Sequence, residues 1–349
     1  MLRSPNGSEL CPSWGIEVTE SSQVGEARRR ASAMAANLGF SPTGQGQVAL
    51  AATEAGTNLI KHAGGGRLLL CPIDDGEGYV ALDLLALDKG PGMADPDRCL
   101  RDGFSTAGTP GTGLGAIARL SDSFELSSAP GLGTALRARF RPERSRPESP
   151  TQSSPRLEIG AVHVPKPPEI ACGDAWAVEH GPTSSRILVV DGLGHGPLAA
   201  DASHAAVRAF RQSPWVPLPD LIWALHAALR STRGAALAVA ELDLEAGLLR
   251  YAGVGNIAGT IFLNSTSHGL VSHNGTAGHE VRKVQVFEYP FAPGSLLVMH
   301  SDGLSIPRRL DQMPGLASRS CPLIAGVLYR DLGRGRDDAT VLAVRGGPP

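Results

Sequence analysis

Cysteine is scarce in this chain: Cys11, Cys71, Cys99, Cys172 and Cys321 are scattered over 349 residues with no CxxC pair. A disulfide framework and a structural zinc site both need closely paired cysteines, so both are excluded and ordinary thiols are expected. Long apolar runs are also missing. Nothing approaches the ~18 uninterrupted apolar residues of a membrane helix, and the opening MLRSPNGSELCPSWG lacks the apolar centre of a secretory signal. The expected location is the cytoplasm, away from the membrane. Neither sign of charge dominates: 32 Lys and Arg stand against 34 Asp and Glu, a net charge of −2 without a basic stripe. The footprint of a nucleic-acid-binding protein is therefore absent. There is no GxxxxGK[ST], which excludes a P-loop phosphate site. What is abundant is glycine, at 43 residues, gathered in short clusters where a backbone must turn tightly or approach a ligand.

The clearest seam is RPERSRPESPTQSSPR, residues 141–156, rich in Pro, Ser and Arg and without an aliphatic residue to anchor it in a core. It reads as a linker between domains at 14–140 and 157–345. In the first half, residues 22–38 have helical character, and Ser41-Pro42 forms an N-cap with proline at the first position of a second helix reaching about His62. Strands are predicted at 67–71, 79–87, 124–128 and 134–140. The second half is dominated by predicted strands, at 158–164, 175–179, 186–190, 236–243, 248–252, 259–263, 281–289, 295–300 and 340–344, with helices only at 197–210 and 218–229. Both halves are expected to be α+β.

Glu54 and Asn58 in ATEAGTNLIKHAG share one helix face, with Lys61 and His62 a turn further on. Taken alone, a solvated helix face is the simpler reading. Next, Asp88 ends an apolar strand in LDKGPGMAD, with Gly90 and Gly92 in the tight loop that follows. GTPGTGLGAIARL then opens a helix with a glycine-rich turn, a form that presents backbone N–H groups to phosphate. In order, Glu54 with Asn58, Asp88 with Gly90 and Gly92, Gly111 to Gly115, and Thr134 after Gly133 resemble the ATP site of the histidine-kinase/Hsp90-type ATPases, the Bergerat-type α/β sandwich. DGFSTAGTPGTGLGAIARLSDSFELSS is most similar to the serine kinases and anti-sigma factors of bacterial partner-switching systems, the RsbT and SpoIIAB kind. The resemblance implies ATP with Mg²⁺ on Asn58, and the adenine amino group on Asp88. Lys61, His62, Gly90, Gly92 and Thr134 would complete the nucleotide pocket, and Gly111, Thr112, Gly113, Leu114 and Gly115 would lie over the phosphates. Glu54 would be the catalytic base or would orient the attacking hydroxyl. The residues before Trp14 are too few for the phospho-accepting helix pair of a histidine kinase, so transfer to a Ser or Thr of another protein, or sequestration without transfer, is expected.

In the second half the acidic residues sit at predicted strand ends beside glycine or a second aspartate: Gly173-Asp174, Asp191-Gly192-Leu193-Gly194-His195, Ser301-Asp302-Gly303 and Asp337-Asp338. One such pair is an ordinary turn. Four of them, with no paired cysteines among them, form an oxygen-rich donor set suited to Mg²⁺ or Mn²⁺ rather than zinc. The pattern resembles the metal-dependent protein phosphatases, protein phosphatase 2C-like, in their SpoIIE/RsbX branch, which implies an α-β-β-α sandwich. By that resemblance Asp191 bridges two metal ions, the Gly192 carbonyl binds one, and Asp174, Asp302 and Asp337 complete the site for hydrolysis of phosphoserine or phosphothreonine. Asp338 is the alternative to Asp337. His195 is a candidate acid or, equally, a loop histidine without a chemical role. The family's further acidic position is Ala177 here. The segment Gly253-Val-Gly255-Asn256-Ile-Ala258 fits a loose dinucleotide fingerprint but leads into a strand rather than a helix, so that reading is rejected. The loop either shapes the phosphatase face or is a structural turn.

The expectation is a two-headed partner-switching regulator, an ATP-dependent serine/threonine kinase module joined to a phosphatase. Its partner would be a STAS-type antagonist or stressosome-like protein, with a sigma factor and a second copy of the chain as further candidates. The rival reading makes the first half a sequestering anti-sigma module with little turnover.

Overall fold

In the computed structural model, which describes residues 12–74, 80–96, 113–143, 157–264, 266–305, 310 and 315–346, the local signals act as their residue types dictate. The Ser41 hydroxyl accepts from the Gly44 N–H at 3.1 Å, and Pro42 opens a 22-residue helix. The chain divides into two compact units, Met1–Pro155 with Asp311–Arg330, and Arg156–Leu310 with Asp331–Pro349.

The first unit contains β1 (Trp14–Val18), α1 (Ser21–Asn37), α2 (Pro42–Ala63), β2 (Gly66–Asp74), β3 (Val80–Leu87), α3 (Gly113–Leu120), β4 (Ser123–Ser128) and β5 (Thr134–Phe140). Its sheet is antiparallel in the order β1-β2-β3-β5-β4. Val48, Ala51, Ala52, Ala55 and Leu59 recur at helical spacing along α2 and pack, with Ala27, Ala31 and Ala35 of α1, against Leu68, Leu70, Leu82 and Leu84 of the sheet. Small alanines between the helices let α1 and α2 lie close together, and that pairing holds the α2 face bearing Glu54 and Asn58 in place.

Asp83 is 1% exposed on β3, and the register places it opposite Arg139. Both carboxylate oxygens accept from Arg139 at 2.7 Å, and Arg137 lies 3.2 Å away. Burial alone would raise the carboxyl, but the two guanidinium groups override it and hold it below the ordinary range. Asp83→Asn removes the carboxylate shared by two largely buried guanidinium groups, of which Arg137 keeps Glu125 at 3.6 Å, so a loss of up to about 3–5 kcal/mol is expected, read as a lower denaturant midpoint. Because the folded-state value is depressed, the wild-type contribution is present at neutral pH and lost as pH falls through it.

The second unit contains β6 (Leu157–Val164), β7 (Asp174–His180), β8 (Ser184–Gly192), α4 (Pro197–Gln212), α5 (Leu218–Ala228), β9 (Ala235–Asp243), β10 (Leu248–Val254), β11 (Ala258–Leu263), β12 (Thr266–Gly269), β13 (Phe287–Pro290), β14 (Leu296–His300) and β15 (Ala339–Gly346). They form two antiparallel sheets, β13-β10-β9-β8-β7 and β12-β11-β14-β15-β6. Helices α4 and α5 cover the first through Phe210, Leu221, Ile222 and Leu225, which pack on Leu188, Val190, Leu237 and Val239. The mixed α+β architecture expected from the sequence is borne out.

Four elements differ from the expectation, the first being the short edge strand β12, which was absent from the reading. Residues 281–286 carry no strand, because Val281, Val284 and Val286 lean on the core instead of joining a ladder; pairing begins at Phe287. The edge strand β1 was absent from the reading. So was a helix, α6 (Cys321–Leu332), whose residues 321–329 are all buried, which leaves no polar stripe to reveal its period. Up to Arg330 this helix clusters with the first unit, where Gly326 lies against Leu85 and Leu87, Tyr329 bonds to Arg67, and Arg330 donates to the Asp88 carbonyl at 2.9 Å. Cys71, Cys172 and Cys321 are buried free thiols, as anticipated for ordinary core cysteines. Among the described residues no helix is long and apolar enough to cross a membrane.

Candidate functional site

In the first unit, Glu54 and Asn58 are half-buried on α2 facing the start of α3. A Cβ built on Gly113 would lie 3.1 Å from Glu54 Oε2 and 3.5 Å from Asn58 Oδ1, so the glycine turn passes directly over both side chains. The Asn58 amide nitrogen is buried without a hydrogen-bond partner among the described residues. An orphaned polar atom beside a carboxylate and a helix N-terminus suits a phosphate–Mg²⁺ group. Leu114 is half-buried against the core and Gly115 is buried. Gly111 and Thr112 lie outside the described residues.

Asp88 sits where β3 ends. Its Oδ1 accepts from Gly90 N–H at 2.8 Å and Thr134 N–H at 3.1 Å, while its own N–H donates to the Thr134 carbonyl at 2.9 Å. Gly133 (φ +70°) permits this: a Cβ there would stand 2.1 Å from the Asp88 carbonyl oxygen. Gly92 follows in the same loop, and Ser128 ties Thr134 to Met93 through hydroxyl contacts of 3.0 and 2.8 Å. Burial raises the Asp88 carboxyl, against the two amide bonds and the charges of Arg330 and His62. Lys61 and His62 are exposed at the end of α2.

The second cluster lies at strand ends drawn from both sheets of its unit. Asp174 opens β7 and is register partner of Asp191 near the end of β8. Asp302 follows β14, and Asp337 precedes β15. Asp191 is pushed up to about 9, by burial first and then by the charges of Asp174, Asp302, Asp337 and Asp338. Asp174, 1% exposed, is raised to about 7, chiefly by burial, although the Ser301 hydroxyl donates to its Oδ2 at 2.6 Å. Its Oδ1 is buried without a hydrogen-bond partner among the described residues. No three acidic, His or Cys side chains among the described residues are gathered tightly enough to hold an ion as they stand. The fit to a divalent cation rests on the donor chemistry: all oxygen, mutually repelling, and containing one orphaned carboxylate oxygen.

Asp338 is occupied otherwise. Its two oxygens accept from Lys166 N–H at 2.7 Å and Gly173 N–H at 2.9 Å, which pins the β6–β7 loop, whereas Asp337 is exposed and accepts from Asp338 N–H. Gly192 sits next to Asp191, its N–H bonded to the Gly173 carbonyl at 3.0 Å. Ala177 points into the core beneath α4 and α5, where an acid has no access to the cluster. His195 is exposed and its Nδ1 lies 3.1 Å from Glu169 Oε1. The sequence reading missed Glu169, whose separation from His195 leaves no local signal. It also missed His163, buried and lowered to about 4 by burial, whose Nε2 lies 3.1 Å from the Asp174 carbonyl oxygen. Ser301 was visible as the neighbour of Asp302, but its reach across to Asp174 was not.

Comparison with known proteins separates the two halves. Residues 18–140 match the model of the histidine kinase-like ATPase domain, and residues 181–346 that of Stage II sporulation protein E (SpoIIE). Over 112 residues the chain is 37% identical to "Serine/threonine-protein kinase RsbT" of Bacillus subtilis (strain 168), covering 32% of this chain and 84% of that protein. Over 137 residues it is 25% identical to "Phosphoserine phosphatase RsbX" of the same organism, covering 39% and 69%. A solved chain described as "The bacterial stressosome: a modular system that has been adapted to control secondary messenger signaling" is 30% identical at a TM-score of 0.50, covering 54% of this chain and 99% of that one. With an RsbT relative spanned over most of its length, and a second match over residues 181–346 that takes in Asp191, Asp302 and Asp337 but not Asp174, the chain belongs to the histidine kinase-like ATPase family through residues 18–140 and is similar to Stage II sporulation protein E (SpoIIE) over residues 181–346.

Proposed function

We propose that this protein is a two-headed partner-switching regulator, with an ATP-binding half at 14–140 and a phosphatase half at 157–345 that removes phosphate from serine or threonine of a STAS-type antagonist. The observation that carries this reading is the convergence of strand-end aspartates from both sheets, Asp174 in register with Asp191 and the charges of Asp174, Asp302, Asp337 and Asp338 all acting on Asp191. Asp174, Asp191, Asp302, Asp337 and the Gly192 carbonyl would hold two Mg²⁺ or Mn²⁺ ions, which when bound neutralise phosphoryl charge and activate water. Ser301 holds one oxygen of Asp174, and the other, buried without a hydrogen-bond partner among the described residues, would be left for a cation. Glu169 engages His195 Nδ1, leaving Nε2 to pass a proton to the departing serine oxygen.

In the other half, Asp88 would take the adenine amino group on Oδ2, its Oδ1 being committed to two backbone amides. Asn58 would hold Mg²⁺, which shields the phosphates. Glu54 would accept the proton of the attacking Ser or Thr hydroxyl beneath the Gly113 turn, on a partner of STAS or stressosome type. If both halves acted on one residue without regulation they would only hydrolyse ATP, so separate substrates or control by partner or nucleotide are part of the reading.

The test is capture from native lysate with ATP and Mg²⁺, followed by mass spectrometry of captured proteins and their phosphosites, with Mn²⁺-dependent phosphate release from the same phosphopeptide. A STAS-like protein phosphorylated on Ser or Thr, and dephosphorylated by this chain with Mn²⁺, is the expected result. Capture of an unmodified sigma factor would make the first half a sequestering module.

A further inference from the structure

The rejected dinucleotide-like loop lies against the acidic cluster. It joins β10 of one sheet to β11 of the other, and β11 runs antiparallel to β14 with Ala258 opposite His300. Continuing that register two residues beyond the paired strands sets Asn256 opposite Asp302. The side chains meet there: Asn256 Nδ2 donates to Asp302 Oδ2 at 2.8 Å.

The loop is built to keep this contact. Gly255 has φ +95°, and a Cβ there would stand 2.6 Å from the Ala236 side chain, so only glycine makes the turn. Its N–H donates to the His273 carbonyl at 2.8 Å. On the other side of Asn256, the Ile257 carbonyl accepts from the fully buried Tyr251 hydroxyl at 3.3 Å and from Ser272 at 3.2 Å. Asn256 itself is exposed, so its backbone is fixed by its neighbours while its amide faces the cluster rim.

We infer that Asn256 is a positioning residue of the phosphatase centre: it holds the Asp302 carboxylate in one orientation through Oδ2, which would leave Oδ1 to serve a divalent cation. The inference rests on the reading of Asp302 as a metal ligand. An amide donor removes the rotational freedom of the carboxylate and brings no charge of its own. Aspartate at this position would instead set two carboxylates against each other at the same distance.

The experiment is Mn²⁺ titration of the full-length protein, followed by the electron paramagnetic resonance signal of free Mn²⁺, with thermal melts of the same samples. Asn256→Ala is expected to weaken Mn²⁺ binding by about 10–100-fold with an unchanged melting temperature, as for other groups that orient a ligand. Asn256→Ser keeps a donor on the loop and recovers part of the affinity; a merely structural effect of the loop would leave the two variants equal. Asp302→Asn is the control. If it abolishes Mn²⁺ binding while Asn256→Ala binds within about twofold of wild type, below the 10-fold expected of an orienting group, the inference is overturned and the metal site stands. If Asp302→Asn binds Mn²⁺ as wild type does, the reading of the site itself fails.

Discussion

Asp191→Asn is expected to end Mn²⁺-dependent phosphate release, by about 10³–10⁵-fold, the range seen when a charge acting on a transferring phosphoryl group is removed. The argument is positional. β7 and β8 bring Asp174 and Asp191 together in register, and β14 and β15 deliver Asp302 and Asp337 from the other sheet. Asp191 is the member whose carboxyl responds to all the others, so it is the point at which their charges add. The change of one oxygen to an amide group keeps the shape and removes the charge, so fold loss is not the cause of inactivity.

A second readout checks that claim without any assay of phosphate. In EDTA, the folded protein holds a proton on Asp191 up to about pH 9, whereas the unfolded chain releases it near the ordinary 3.8. The folded state therefore binds more protons across that interval. The stabilising contribution is complete below the ordinary value and is lost as pH rises through the folded one. Melting temperature in EDTA should fall from pH 6 to pH 9 in the wild type. It should fall less in Asp191→Asn, which makes the variant the more stable protein at alkaline pH. An equal fall in both would remove Asp191 as the centre of the cluster.

The parts of this molecule that were legible in its sequence are those carried by local chemistry. Ser41-Pro42 caps α2 because a hydroxyl and a fixed φ suffice for that, whatever lies around them. The acidic strand ends were visible because aspartate beside glycine interrupts apolar runs. What stayed hidden depends on contacts between distant residues. Helix α6 is apolar all round because it is buried all round, so periodicity carried no information. Residues 281–286 are as apolar as a strand but satisfy that character by leaning on the core. Glu169 meets His195, Ser301 meets Asp174, and Asn256 meets Asp302 only through the tertiary arrangement. The choice of Asp337 over Asp338 gains support in the same way, since two backbone amides already occupy the Asp338 carboxylate.

Glu54→Ala separates the two readings of the first half. If Glu54 is the base, phosphate transfer from ATP to the captured partner should fall by about 10²–10⁴-fold, the usual contribution of a positioned proton acceptor. Glu54 is half-buried and contributes nothing to the Leu and Ala packing of α2, so the fold and nucleotide affinity should persist. Asp88→Asn is the complement. Its carboxylate anchors Gly90 and Thr134 through one oxygen and is proposed to take the adenine amino group on the other, so its loss should abolish ATP binding and transfer together. The pattern expected of a kinase is thus Glu54→Ala binding ATP and partner without transfer, and Asp88→Asn binding no ATP. A sequestering module would show partner capture by Glu54→Ala equal to wild type, with no transfer to lose in either protein. Measuring transfer and capture on the same preparations decides between them, because the two residues occupy separate places, Glu54 on α2 beside Gly113 and Asp88 after β3 beside Gly90 and Thr134.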